Sequence, residues 1–159
     1  MNRLKRYVQN ATVQSLFQSI KAVFKNEFNW NVDSLTLELT TTPIFNNGTP
    51  NPEMPLEHFG GCWTHHGVIY INPDLNPVMD HYGTDYSLKA FTCLIIAHEC
   101  AHEVYNKILT QDEKKHYHQL TQSFRSHYLD TFDANSPKLN EERFCEYIAY
   151  QVVNSLNEV

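Results

Sequence analysis

YSLKAFTCLIIAHECAHEVYNKIL, residues 86–109, carries the pattern around which the rest of the chain is read. Leu88, Phe91, Ile95, His98, His102, Tyr105 and Leu109 recur at alternating spacings of three and four, which places all of them on one face of a helix. Two histidines therefore stand where an amphipathic helix expects core residues. Burying two unpaired imidazoles is costly, so the pair needs a partner. At i and i+4 both rings can reach one ion, as zinc requires of two nitrogen ligands at about 2.0–2.1 Å. Glu99 follows His98 and projects to the side of such an ion, where a carboxylate can take a proton from an activated water.

Upstream, Val13, Leu16, Phe17, Ile20, Phe24 and Phe28 recur at helical spacing and predict a helix over about 12–28. From Ser34 to Thr40, Leu35, Leu37 and Leu39 alternate with Thr36, Glu38 and Thr40, the pattern of a half-buried strand. Residues 43–61 hold Pro43, Pro50, Pro52 and Pro55 with Asn47-Gly48 and Gly60-Gly61, and predict a long loop of the kind that is often functional. Gly67 to Asn72 reads as a second strand, closed by Pro73 and Asp74. Asn76-Pro77 and Tyr82-Gly83 mark a turn region before the histidine helix.

Downstream, Thr110 and Glu113 form a capping box for a third helix, with a stripe of Tyr117, Leu120, Phe124 and Tyr128. Ser136-Pro137 supplies an N-cap and a proline at the first position of a last helix. The order is α-β-β-α-α-α without repeat or linker. This predicts one α+β domain over residues 1–159, mostly helical, with a short sheet packed on the histidine helix.

The last helix repeats the anomaly. Leu139, Glu142, Glu146, Ala149, Val153 and Leu156 share one face, so two glutamates occupy core-facing positions. Lone carboxylates are rarely buried without a cation or strong donors. If Glu142 completes a zinc site, the ion compensates its burial. Glu146, one turn on, then accepts the free ring N–H of a metal-bound histidine. The helix macrodipole alone also favours Glu141 and Glu142 in a first turn. Glu141, His116 and His118 stand as rival third ligands. The second electrophile for an oxyanion is open among His65, His66, Tyr70 and Tyr105.

H-E-x-x-H on a helix is the zincin signature. His98-Glu99-x-x-His102 followed by Glu142-x-x-x-Glu146 resembles the gluzincin pattern, HExxH with a distant ExxxD; here a glutamate stands for the aspartate. The layout over residues 60–157, a GVIYIN strand before the HExxH helix in a short chain, looks like a minimal, ImmA-like gluzincin. The resemblance implies a zincin-like domain and a Zn2+-dependent peptidase. Its metal ligands would be His98, His102 and Glu142, its general base Glu99, and Glu146 the support behind a ligand. SprT-like proteases share the strand-then-HExxH layout with a histidine as third ligand, and are the neighbouring alternative. The metzincin extension is missing, because Tyr105 and Ile108 stand where its glycine and histidine would be. An ImmA-like regulatory zinc-binding protein acting on one dedicated partner is the second functional expectation.

Composition bounds these readings. At 159 residues, with 42% hydrophobic and 13% aromatic residues, the chain can bury a core without staples. A net charge of −6 with scattered basic residues argues against a nucleic-acid partner and leaves a peptide or protein as the expected substrate. Cys62, Cys93, Cys100 and Cys145 form no CxxC pair, and are expected as reduced thiols packed in the interior. Met1 to Arg6 is basic, but polar residues interrupt the apolar ones after Arg6. Neither a signal peptide nor a membrane span is therefore expected, and the cytoplasm is the expected location. The strand Gly67–Asn72 is a candidate edge for pairing with extended substrate, with the loop 42–61 rimming the cleft.

Overall fold

The apolar repeat of the first segment produces helix α1 (Asn10–Phe28), which buries Val13, Leu16, Phe17, Ile20, Val23 and Phe24. It stops at Asn29, whose left-handed φ of 58° lets the Asn29 and Trp30 N–H groups return to the carbonyls of Lys25 and Phe24. That turn seats Trp30 against Phe24, Phe28 and Phe144. The computed structural model describes residues 9–40, 62–75, 79, 86–126 and 128–156. The expected loop over 43–61 and the turns at Asn76-Pro77 and Tyr82-Gly83 lie outside the described residues, as does the basic stretch Met1 to Arg6.

Alternation of leucine with polar residues gives strand β1 (Thr36–Leu39), and the GVIYIN run gives β3 (Val68–Ile71). Between them lies β2 (Cys62–His65), a strand without an evident sequence signal. The sheet order is β1-β3-β2, with β1 parallel and β2 antiparallel to β3. The Val68–Ile71 strand is thus central, which corrects the expectation that it is an edge; among the described residues the outer strands are β1 and β2. His66 and Gly67, at φ 49° and 81°, close the β2–β3 hairpin as a two-residue turn with both residues left-handed. That conformation matches the right-handed twist of the flanking strands.

Helix α2 (Leu88–Lys107) begins at Ser87, whose Oγ accepts the Ala90 N–H at 3.1 Å. Cys93, Ile96, Ala97, Cys100, Ala101 and Val104 are completely buried, so α2 is covered on more sides than one amphipathic face requires. It contacts α1, β2 and β3 and packs most extensively on α4 (Leu139–Ser155). Between α2 and α4 runs α3 (Gln111–Leu120), opened by both halves of the Thr110–Glu113 capping box. It ends at Leu120, so Phe124 and Tyr128 are not on its stripe. Phe124 packs on Tyr147 and Tyr150, and Tyr128 precedes a short 3-10 turn (Leu129–Thr131). The last helix starts two residues beyond Pro137, because 137–138 form a turn and the first closing bond is Glu142 N–H to Lys138 O.

The result is a small α+β fold in which a mixed sheet, α1 and α4 all pack on α2, α4 most extensively. Cys93, Cys100 and Cys145 are buried and unpaired within it. Among the described residues no helix is long and apolar enough to cross a membrane.

Candidate metal centre

The face of α2 that carries His98 and His102 meets the face of α4 that carries Glu142 and Glu146. His98 places Nε2 3.2 Å from Glu142 Oε1 and Nδ1 2.9 Å from Glu146 Oε2. His102 places Nε2 3.0 Å from Glu142 Oε2 and Nδ1 2.6 Å from Glu141 Oε2. Glu142 thus bridges the two Nε2 atoms, while Glu146 and Glu141 each hold an Nδ1 from behind. The histidine rings stand edge to face with centroids 4.9 Å apart.

Each carboxylate is itself held. Glu146 Oε1 accepts the Ser126 hydroxyl at 2.8 Å, and the same Ser126 oxygen accepts the Leu129 N–H at 3.1 Å. Glu141 Oε2 accepts the Asn106 side-chain amide at 2.9 Å. The Tyr128 hydroxyl donates to Glu142 Oε1 at 2.7 Å, and its ring packs edge-on against His98 with centroids 5.2 Å apart. Residue exposures of 7% for His98, 6% for Glu142 and 4% for Glu146 mean that water does little to screen these groups.

The electrostatics follow from that burial. Desolvation pulls the pKa of His98 down, but hydrogen bonds to Glu142 and Glu146 outweigh it and hold the value well above the ordinary one. Desolvation likewise opposes the charge on His102, and Cys145, Glu141 and Glu142 reverse the effect. Burial would raise the carboxyl of Glu142; hydrogen bonds from His102 and His98 instead hold it well below the usual carboxylate range. A carboxylate oxygen at both ring nitrogens of each histidine favours the imidazolium form.

A divalent ion fits the same donors. Metal–ligand bonds of about 2.0–2.1 Å give a coordination tetrahedron whose edge is about 3.3 Å, close to the oxygen–nitrogen separations here. Cys145 adds a third donor type: its sulfur and one nitrogen of each histidine all lie within 4.8 Å of one another. Buried His98 and Cys145 and half-buried His102 can therefore hold a metal ion, with Glu142 between the two rings.

Glu99, half-buried on α2, accepts the Thr64 hydroxyl at 2.7 Å. The register explains the contact. Thr64 pairs with Ile69, and Ile69 pairs with Leu37 across β1, so all three share the sheet face that packs on the core.

Of the rival third ligands, Glu141 meets His102 at Nδ1, whereas the two histidines of α3 are engaged elsewhere. His118 Nε2 is taken up by the Tyr105 hydroxyl at 2.7 Å, and His116 is exposed beside Tyr117. Tyr70 alternates with buried Ile69 and Ile71 and so points to the opposite sheet face. His66 is exposed in the hairpin turn, and the side chain of His65 lies outside the described residues. Glu141 stands behind His102, at Nδ1, on the side away from Glu142. Thr64, Ser126, Tyr128 and Cys145 carry no spacing signal that marks them as site residues; they reach the site through tertiary contact.

Compared with known proteins, the chain matches no family model, and neither a curated protein nor a solved structure shows significant similarity to it.

Proposed function

We propose that the chain is a zinc-dependent peptidase of the minimal gluzincin kind, acting on extended peptide or protein segments. The observation that supports this most is the Glu142 carboxylate facing Nε2 of both HExxH histidines while Glu146, one turn on, holds His98 from behind. His98, His102 and Glu142 would hold the ion, and the carboxylates on the Nδ1 atoms fix the ring orientation and raise ligand basicity. Zinc at such a site supplies a Lewis acid that brings the pKa of a water toward about 7.

The chain's own groups do the rest. Glu99 takes the proton from the attacking water and returns it to the leaving amine. Thr64 orients Glu99 through the hydroxyl it donates. Tyr128, whose phenol reaches this site, would turn its hydroxyl from Glu142 to the oxygen on which negative charge develops. Substrate lies as an added strand along β2, an outer strand among the described residues and the one that carries Thr64.

Replacing Glu99 by Gln tests this reading. The expected result is cleavage of unfolded casein reduced by about 10²–10⁴-fold, the usual worth of a general base, with zinc still bound. A Glu99→Gln chain that cleaves as fast as the parent contradicts it.

A further inference from the structure

Cys145 takes no part in the mechanism above, yet it is completely buried beside both histidines. It lies three residues after Glu142 on α4, so the two side chains leave the helix on neighbouring paths toward α2. A sulfur and a nitrogen bound to one zinc at about 2.3 and 2.0–2.1 Å stand about 3.6 Å apart. With all three donor atoms within 4.8 Å of one another, each sulfur–nitrogen separation needs to shorten by at most about 1.2 Å. Cys93 and Cys100 are equally buried, but neither belongs to the group of convergent donors found among the described residues.

We propose that Cys145 is a fourth ligand of the same ion, giving a donor set of two imidazoles, one carboxylate and one thiolate. The inference rests on the metal-site reading above and extends it. On binding, the metal–sulfur bond forms as the S–H bond breaks, and the proton leaves to solvent. A thiolate in the set selects thiophilic ions such as Zn2+, Co2+ and Cd2+ over Mg2+ and Ca2+. It also closes the resting site. Structural zinc sites hold four protein donors whereas catalytic ones keep a position open, so turnover requires the Cys145 sulfur to give way to water.

Cobalt substitution tests the ligand directly, without any substrate. The purified chain is loaded with Co2+ and its absorption compared with that of Cys145→Ser. A sulfur-to-cobalt charge-transfer band in the near ultraviolet is expected in the parent and lost in the variant, while one cobalt per chain remains bound. Should Cys145→Ser fail to fold, a chain with Cys62, Cys93 and Cys100 all replaced by serine keeps Cys145 alone, and the band must persist in it. One bound cobalt without a charge-transfer band, or a band that survives Cys145→Ser, overturns the proposal and leaves the three-ligand site standing. Failure of the parent to bind cobalt at all overturns the metal-site reading as well.

Discussion

At the scale of single residues, the two inward carboxylates of α4 differ in what they touch. Glu142 faces Nε2 of both histidines, whereas Glu146 faces only the Nδ1 of His98 and is steadied by Ser126. An acceptor behind a metal-binding histidine sets its tautomer and orientation. Glu146→Gln should therefore weaken zinc binding by about 10–100-fold without abolishing it, as a chelator competition would show. An unchanged affinity would deny Glu146 that role. The position of both glutamates was legible as carboxylates on a core stripe. Their partners Ser126 and Tyr128 were not, because a contact between separate segments leaves no period in the sequence. Cys145 reads from sequence only as a buried thiol, the ordinary meaning of a lone cysteine.

Among elements, the β2–β3 hairpin decides which strand borders the site, and here the sequence was hardest to read. Its turn is His66-Gly67 rather than the asparagine–glycine pair that usually announces such a hairpin, and Cys62 to His65 lacks clear alternation. The consequence is a central strand that reads as an edge. Gly67 is the residue on which the turn depends, since its φ of 81° is one that side-chain-bearing residues rarely adopt. A Cβ added there meets nothing within 4 Å, so the cost of Gly67→Ala is conformational alone. It should destabilise the chain by about 1–2 kcal/mol in urea unfolding. A loss near zero would mean that the turn does not hold the hairpin. The helices were more legible, because their apolar repeats are long; only their ends shifted, at Leu120 and Leu139, where turns replace the first or last helical bonds.

For the whole molecule, the facing charges of α2 and α4 tie stability to pH. His98 and His102 have folded pKa values above their ordinary 6.5, so their contribution is full below that value and is lost as pH rises through the raised values. Glu142 is depressed from its ordinary 4.5, so its contribution is present above that value and is lost as pH falls through the depressed value. The metal-free chain should accordingly be most stable between about pH 4.5 and 6.5 and weaken toward alkaline pH. Metal ligands must be deprotonated, so zinc loading near neutral pH should release protons from the histidines, with a further one if Cys145 also binds. Thermal unfolding across pH, with and without zinc, should show the gap between the two forms widening as pH rises. Parallel curves would contradict this linkage.

The measurement that bears most directly on the central claim is zinc per chain, by elemental mass spectrometry after purification without added metal, in the parent and in Glu142→Ala. One zinc per parent chain is expected, with the variant losing it to an equimolar chelator that the parent resists. Glu142→Gln serves where the alanine variant does not fold. A parent that carries no zinc even after zinc is restored would contradict the metal centre, and a variant that keeps its zinc as tightly as the parent would contradict Glu142 as its ligand.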